Sequence, residues 1–335
     1  MSGDRSLRAG LVGLGMMGRH HARILRSLPG VTLVAAADPR GDAHGALGDV
    51  PLVASVEQLL GYQLDYAVVA CPTALHEEVG LRLAEAGVAA LIEKPLAHSV
   101  DAAARLVEAF DSRGLVAAVG HVERFNPALQ SMRERLEAGE LGELFQVVTR
   151  RQGPFPNRIA DVGVVKDLAT HDLDLTAWVT GSPYRTVAAH TAHKSGRPHE
   201  DLVAVTGQLD SGAVTNHLVN WLSPLKERVS VVTGERGCFV ADTLTADLTF
   251  FANGSTATEW DAVSAFRGVS EGDMTRYAIP KREPLVVEHE TFRDAVAGKT
   301  TEHLVTLRQG LRTVLVADAV LRSADTGGTV SLDLD

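Results

Sequence analysis

A glycine-rich segment near the start of the chain, Gly13-Leu14-Gly15-Met16-Met17-Gly18, limits the possible folds more than any other feature. A strand-like apolar run over residues 7–12 precedes it, and a helix-like run over residues 19–25 follows. In such a strand-turn-helix unit the first glycine permits the tight turn, the second lets a pyrophosphate approach the backbone, and the third lets helix and strand pack closely. The exposed amides and the positive end of the helix dipole then receive the phosphates. The segment predicts a dinucleotide site that includes Gly13, Gly15, Met16, Met17 and Gly18.

A carboxylate stands where a dinucleotide site needs one. Asp38 follows the apolar run over residues 31–37, at the spacing of about 20 residues expected after the glycines. It can accept hydrogen bonds from both ribose hydroxyls of an adenosine and repels a 2′-phosphate, which favours NAD over NADP. Arg40 keeps NADP open as an alternative, because a guanidinium can hold that phosphate. An ordinary turn at Asp38-Pro39 is the structural alternative.

The order of elements predicts an α/β fold in two domains. Short apolar strands at residues 7–13, 31–37, 65–70, 89–92 and 115–120 alternate with amphipathic helices, which is typical of a doubly wound parallel Rossmann sheet. After residue 126, longer alternating runs, an Asp210-Ser211-Gly212 turn and two late helices predict an α+β domain with a large, mainly antiparallel sheet. We expect a dinucleotide-binding domain over residues 1–123 and a substrate-binding, catalytic and oligomerisation domain over residues 124–335.

Polar residues follow several of the predicted parallel strands. Ligands of doubly wound sheets bind outside the carboxyl ends of the strands, and the residues at those ends are Asp38, Cys71-Pro72-Thr73, Glu93-Lys94-Pro95 and His121. His76 begins a helix and is predicted to line the same half of the cofactor site, with a partly exposed first-turn residue as the alternative. Pro95 restricts Lys94 to extended geometry, which sets the direction of the ammonium group. Cys71 is predicted to be a small buried residue rather than a nucleophile.

A second group of ionisable residues lies in the second domain. In a regular α-helix, Asp167, His171, Asp174 and Trp178 would fall within about 40° of one another around the axis. A carboxylate beside an imidazole orients the ring and raises its basicity, so Asp167 and His171 are candidates for acid–base chemistry. A solvated helix face is the alternative.

Composition excludes several classes of partner. A net charge of -10 argues against nucleic acids and anionic membranes. The two cysteines, Cys71 and Cys238, provide neither a disulfide framework nor zinc spacing, and the pair His190-x-x-His193 has no nearby Cys, His or Asp partners, so we expect no metal. The first five residues lack an apolar signal segment, and no apolar run approaches the ~20 residues of a membrane helix. We therefore expect a cytoplasmic protein that acts on a small molecule.

Taken together, the glycine-rich segment, Glu93-Lys94-Pro95 and Asp167-x-x-x-His171 resemble the glucose-fructose oxidoreductase/inositol dehydrogenase/rhizopine-catabolism family (Gfo/Idh/MocA) over essentially the whole chain. The resemblance implies that Lys94 and His171 are catalytic, that Asp167 assists, and that the nicotinamide lies between the domains. It also implies that Glu93 accepts a hydrogen bond from the nicotinamide ribose, and that the protein is a homodimer or homotetramer.

A narrower likeness concerns residues 120–127 and 151–156, the latter leading into residues 161–167. They resemble the family branch that oxidises C3 of UDP-N-acetylglucosamine and related nucleotide sugars. The candidates for sugar and phosphate contacts, besides Lys94, Asp167 and His171, are Arg124, Asn126, Arg151 and Arg158. Three alternatives stay open: a dehydrogenase of a free or phosphorylated sugar or an inositol, a redox-neutral elimination or glycoside cleavage that uses NAD transiently, and a non-catalytic NAD-binding sensor.

Overall fold

The computed structural model describes residues 6–155, 162–254 and 270–333. Two compact units divide the chain. Unit 1 comprises residues 1–122 and 283–315, and unit 2 comprises residues 123–282 and 316–335.

Unit 1 contains a six-stranded parallel sheet in the order β3-β2-β1-β4-β5-β6. Its strands are β1 (Leu7–Val12), β2 (Val31–Ala37), β3 (Leu52–Val53), β4 (Tyr66–Val69), β5 (Ala89–Glu93) and β6 (Ala117–Gly120). The four residues of β4 and the five of β5 are all buried, as expected for strands covered on both faces. The predicted doubly wound sheet is confirmed.

Helices connect the strands of this sheet, except that β2 leads directly to β3. They are α1 (Met16–Leu25), α2 (Val56–Leu60), α3 (His76–Glu85) and α4 (Val100–Asp111). Serine hydroxyls fix two of the starts, because Ser55 accepts from the Gln58 amide and Ser99 accepts from the Ala102 amide. Because all six strands are parallel, the segments that follow the strands lie together at the carboxyl ends of the sheet.

Unit 1 also includes a late segment that we expected to belong to the second domain. Helix α7 (Pro284–Val296) packs on α1, and its Phe292 ring meets Tyr66 edge to face, with 5.4 Å between the ring centroids. The Val119 amide donates to the Val305 carbonyl oxygen at 2.9 Å. Residues 283–315 therefore belong to unit 1, whereas the predicted boundary at residues 123/124 placed them in the second domain. The reason is that their apolar face is buried against the first sheet.

In unit 2, nine strands of the described chain form a mainly antiparallel sheet in the order β14-β13-β12-β11-β7-β10-β9-β8-β15. They are β7 (Leu144–Pro154), β8 (Tyr184–Ala192), β9 (Leu202–Leu209), β10 (Val214–Asn220), β11 (Leu222–Gly234), β12 (Gly237–Asp242), β13 (Asp247–Gly254), β14 (Ser270–Arg276) and β15 (Val330–Ser331). The β7–β10 pair is parallel and all other pairs are antiparallel. The predicted turn at residues 210–212 joins β9 to β10, and Gly212 has φ +92°.

Helices cover one face of this sheet. Helix α5 (Pro127–Glu137) packs on β12 and β13, and α6 (Thr170–Thr180) packs on β7 and α5. Helix α8 (Leu307–Thr326) contributes Val316, Ala319 and Val320 to the core of unit 2. Among the described helices, none has the length and the apolar character needed to cross a membrane.

Candidate functional site

The glycine-rich turn in unit 1 has the geometry of a phosphate cradle. Gly13 has φ +93°, and a Cβ atom built on it would lie 2.6 Å from the Cys71 amide nitrogen. A Cβ on Gly18 would lie 2.0 Å from the Gly13 carbonyl oxygen, whereas a Cβ on Gly15, the residue before α1, would meet nothing within 4 Å. Two glycines are thus required by packing and the third faces open space. No side chain of the described residues caps the α1 N-terminus, so its first amides can meet a phosphate. These features fit a dinucleotide.

Asp38 holds the turn from the neighbouring strand end. The Leu14 amide donates to Asp38 Oδ2 and the Arg40 amide donates to Asp38 Oδ1, both at 2.8 Å. The Arg40 guanidinium is largely exposed and its Nε atom lies 3.7 Å from Asp38 Oδ1. Asp38 therefore shapes the glycine-rich turn. It also places the Arg40 guanidinium at the strand end where we expect the adenosine ribose to bind.

The end of β5 places Glu93 inside unit 1. Glu93 Oε1 accepts from His21 Nε2 at 2.9 Å, and Glu93 Oε2 accepts from the Lys94 amide at 3.1 Å. Burial alone would raise the pKa of Glu93, but the hydrogen bond and charge of His21, and the Lys94 charge, hold that pKa below its ordinary value. Glu93 is thus an ionised, buried acceptor. Its proposed contact with a nicotinamide ribose stays a prediction.

His76 connects two of the predicted cofactor segments. Its Nδ1 atom lies 3.0 Å from the Pro95 carbonyl oxygen and its Nε2 atom lies 3.0 Å from the Cys71 carbonyl oxygen. The side chain is buried, so the partly exposed alternative is wrong. Both ring nitrogens face the backbone, which makes His76 a link between Cys71 and Pro95.

The neighbouring strand ends hold the other predicted cofactor residues. Pro72 precedes a 3₁₀ turn, Thr73–Leu75, and burial raises the pKa of the Cys71 thiol to about 12, which disfavours the nucleophilic thiolate. His121 is buried directly after β6. Met16 and Met17 open helix α1, and the Met16 side chain is exposed. The predicted set therefore lies around one edge of one sheet.

In unit 2 the segment that carries Asp167 departs from the predicted α-helix. Residues Val165–Ala169 form a π-helical turn, and α6 begins only at Thr170. Because a π-turn holds more residues than an α-turn, the predicted stripe of Asp167, His171, Asp174 and Trp178 does not continue through it. The regular α-helix on which that stripe depends therefore begins only after Asp167. Asp167 lies in the π-turn, and His171 lies in the first turn of α6.

Glu200 holds the start of this π-turn. Its Oε1 atom accepts from the Val165 amide at 3.0 Å, and its backbone oxygen accepts from the Val164 amide at 3.0 Å. A Cβ on Gly163 would lie 2.0 Å from the Glu200 carboxylate oxygens, so glycine is required there. Sequence reasoning missed this contact because Glu200 lies on the loop before β9.

The predicted substrate arginines are paired inside unit 2. Arg124 donates to both oxygens of Asp174, at 2.8 and 2.7 Å. Arg151 donates to Asp172 Oδ2 at 2.9 Å and to Glu123 Oε1 at 2.8 Å. Burial alone would lower the pKa of Arg151, but the two carboxylates raise it above the ordinary value. Both guanidinium groups are thus held in buried ion pairs, and their role as sugar or phosphate contacts stays a prediction.

Asn126 also has a structural role. Its Oδ1 atom accepts from the Ala128 amide and caps α5, and its Nδ2 atom donates to the Thr243 carbonyl oxygen, both at 3.0 Å. Arg158 lies outside the described residues. Arg228 is a half-buried cation that sequence reasoning missed, and it donates to the Gln152 carbonyl oxygen at 2.7 Å. Burial and the Arg151 charge lower the pKa of Arg228, while the carboxylates of Asp172, Glu123 and Asp167 oppose that shift.

Three residues that sequence reasoning did not select accompany Glu93 in unit 1: His21, Glu288 and His289. The position of His21 three residues after Gly18 was the available signal. Nothing in the sequence linked α7 to α1. In the ranges 6–155, 162–254 and 270–333, no group of three or more His, Cys, Asp or Glu side chains is arranged to hold a metal ion.

Comparison with known proteins decides the family. Residues 7–121 match an oxidoreductase family with an NAD-binding Rossmann fold, and residues 129–240 match the GFO/IDH/MocA C-terminal domain. The chain belongs to this family. The predicted resemblance is confirmed, and the sheet of unit 1 is the NAD-binding Rossmann domain of the family.

Relatives within the family differ in how much of this chain they share. UDP-N-acetylglucosamine 3-dehydrogenase of Acidithiobacillus ferrooxidans is 30% identical over 295 residues, which cover 87% of this chain and 89% of that protein. Its solved structure has a TM-score of 0.81 at 26% identity and covers 96% of this chain and 98% of that one. Inositol 2-dehydrogenase 2 of Saccharopolyspora erythraea is 31% identical over 205 residues, which cover 58% of this chain and 60% of that protein. The chain thus spans less than two thirds of that inositol relative.

Proposed function

We propose that this protein is an NAD-dependent oxidoreductase that removes hydride from a secondary alcohol of a sugar. The phosphate cradle carries the proposal, because Gly13 and Gly18 admit no side chain and the α1 N-terminus faces open space beside Gly15. Bound NAD would supply the hydride acceptor. The chain itself must bind the alcohol, take its proton and stabilise its oxygen.

The proposed roles follow from the chemistry of the side chains. His171 is the base that takes the hydroxyl proton, because an imidazole with an ordinary pKa of about 6.5 accepts protons near neutral pH. Asp167 orients the imidazole. Lys94 stabilises the negative charge that develops on the alcohol oxygen with its ammonium group. Asp38 and Arg40 lie at the adenosine end, and the Asp38 carboxylate favours NAD over NADP.

For the substrate we favour C3 of a UDP-amino sugar. The support is the extent of the likeness to UDP-N-acetylglucosamine 3-dehydrogenase, which includes most of unit 2, where substrate contacts are expected. A diphosphate needs cationic partners. In unit 2, Arg228 is half-buried, and the charge of Asp167 is one of those that raise its pKa, so we propose Arg228 as one of these cationic partners.

An uncharged polyol such as an inositol is the second candidate. The observation that favours it is the pairing of Arg124 and Arg151 with carboxylates, which occupies two guanidinium groups that a diphosphate would need. The inositol 2-dehydrogenase likeness of 31% identity is in the same range as the nucleotide-sugar likeness of 30%.

The test is NADH formation by the purified protein with NAD and a panel of UDP-amino sugars, free sugars, sugar phosphates and inositols. We expect one substrate class to respond, and we expect Lys94→Ala to lose turnover by on the order of 100-fold or more while it still binds NAD. Lys299→Ala, which removes an exposed lysine of the same unit, is the matched control. Near-normal rates in Lys94→Ala would contradict the catalytic role of Lys94.

We further propose that the protein is a homodimer or homotetramer that assembles through the open face of the unit 2 sheet. Helices α5 and α6 cover the other face. Val214 and Leu218 on β10 are exposed, as are Phe251 on β13 and Met274 on β14. An apolar surface of this kind on a sheet is typical of an interface.

A further inference from the structure

Unit 1 contains a buried cluster of four ionisable side chains, and none of the four was assigned a role in orienting the Lys94 segment. We call it the histidine–glutamate cluster. Its members are His21 on α1, Glu93 at the end of β5, and Glu288 and His289 on α7, and their exposed fractions are 0%, 6%, 2% and 1%. Burial of four ionisable side chains costs free energy unless the groups are hydrogen-bonded. The position of the cluster beside Lys94 gives a functional reason for keeping these ionisable groups buried.

Hydrogen bonds join three members in a row that ends at Lys94. His289 Nε2 lies 2.8 Å from His21 Nδ1, and His21 Nε2 lies 2.9 Å from Glu93 Oε1. The second oxygen of Glu93 accepts from the Lys94 amide at 3.1 Å. Hydrogen bonds at both oxygens fix the orientation of the Glu93 carboxylate. The Lys94 backbone is oriented in turn, because its amide donates to that carboxylate.

The row keeps its hydrogen bonds in two protonation states. A neutral His21 donates from Nε2 to Glu93 and accepts at Nδ1 from His289. A positively charged His21 donates from both nitrogens, and His289 then accepts at Nε2. In both states Glu93 accepts from His21 Nε2, so gain or loss of one proton leaves the Glu93 contact in place. Burial, followed by the His21 charge, lowers the pKa of His289 well below its ordinary value, so that ring is neutral.

Glu288 differs from Glu93 although both carboxyl groups are buried. Within the described residues neither oxygen of Glu288 has a hydrogen-bond partner, and burial together with the negative charge of Glu93 raises the pKa of Glu288 well above its ordinary value. Glu288 is therefore neutral while Glu93 is ionised. The hydrogen bond from His21 and the charge of Lys94 favour the ionised form of Glu93.

The neighbouring strand makes room for this arrangement. Gly120 pairs with Glu93 across β5 and β6, and a Cβ atom on Gly120 would lie 3.2 Å from Glu93 Cδ. A side chain at that position would press on the carboxylate. Both the hydrogen-bond partners and the strand neighbour therefore serve the same orientation of Glu93.

We propose that His21 and His289 are positioning residues for the proposed reaction: they hold the Glu93 carboxylate in place, and Glu93 in turn orients the backbone of Lys94. This inference rests on the proposed function only where Lys94 acts on the substrate. The orientation of the Lys94 segment is a property of unit 1 itself and can be measured without a substrate.

The pH dependence follows from the groups around Glu93. These are His21 on α1, His76 on α3, Lys94 after β5, and Glu288 and His289 on α7. Among them His21 donates the hydrogen bond that opposes burial. Without it the pKa of Glu93 rises, so Glu93 becomes protonated at a higher pH. The acid limb of kcat/KM then moves to higher pH, whereas a general loss of structure lowers the rate at every pH alike.

The experiment compares His21→Leu, which removes both ring nitrogens, with His21→Gln, which retains a donor for Glu93. In His21→Leu we expect faster hydrogen exchange in the peptide that spans residues 91–97, a loss of kcat on the order of 100-fold, as for a misplacement of about 1 Å, and an acid limb at higher pH. His21→Gln is expected to restore part of each effect. His303→Gln, an exposed histidine of the same unit, is the control.

Unchanged hydrogen exchange over residues 91–97 in His21→Leu would overturn the inference, and so would a uniform loss of rate with no movement of the acid limb. If His21→Leu does not fold, His289→Leu takes its place, because it leaves the contact between His21 and Glu93 and should give a smaller change in the same direction. If the wild-type protein oxidises none of the substrates, the proposed function fails, and the exchange measurement still decides whether the row orients Lys94.

Discussion

At the scale of single residues, Asp38 has two tasks that a substitution can separate. Its carboxylate accepts from the Leu14 and Arg40 amides, so Asp38→Ala leaves one backbone donor of the glycine-rich turn, and a second donor at Arg40, without their acceptor. An unmet buried donor costs about 1–3 kcal/mol, which corresponds to NAD binding weaker by roughly 5- to 150-fold. The preference for NAD over NADP should also fall, because the negative charge that repels a 2′-phosphate is gone.

The measurement for Asp38→Ala is calorimetric titration with NAD and with NADP. Asp49→Ala, an exposed carboxylate on the same loop, serves as the control and should bind both cofactors as the wild type does. A wild type that already prefers NADP would contradict the assignment to Asp38 and would assign the choice to Arg40.

At the scale of elements, local patterns predicted the Rossmann half well and the helical segment that carries Asp167 and His171 poorly. Glycine spacing and apolar strands are local signals, so the turn, Asp38 and the strand ends could be predicted. The π-turn at residues 165–169 could not, since it depends on Glu200, which is 35 residues from the Val165 amide that it accepts from. The pairing of Arg124 with Asp174 is equally non-local, because 50 residues separate the partners. The sequence alone therefore does not show whether an arginine is exposed or buried in an ion pair.

Three strands of the unit 2 sheet share a buried polar contact that should respond to pH. His217 on β10 lies 2.8 Å from Thr149 Oγ1 on β7 and 2.8 Å from the Tyr184 hydroxyl on β8. Burial lowers the pKa of His217 to about 3 from its ordinary 6.5. The unfolded chain then binds the proton between these values while the folded chain does not, so stability is lost as pH falls below 6.5. At pH 5 the loss relative to pH 7 is about 2 kcal/mol.

Urea unfolding at pH 7 and pH 5 tests this, with His217→Gln as the comparison. The glutamine amide can still donate and accept but does not titrate, so the variant should lose less stability between the two pH values. The quantity compared is the change with pH in each protein, which removes any constant cost of the substitution. An equal change in both proteins would show that other groups cause the acid sensitivity.

At the scale of the whole molecule, the open face of the unit 2 sheet predicts an oligomer. Register places Leu218 opposite Arg150 on one side and Ala204 on the other, and Val214 opposite Gln146 and Gln208, so both apolar side chains project from the same face. They are 38% and 45% exposed in a single chain. A charge placed there in Leu218→Asp or Val214→Asp would be desolvated on assembly and should shift the protein towards monomers. Leu244→Asp, an exposed leucine in the turn after β12, is the matched control and should leave the assembly intact. Light scattering after size exclusion gives the mass directly, and a wild type that stays at 35.6 kDa over the whole concentration range would contradict the interface.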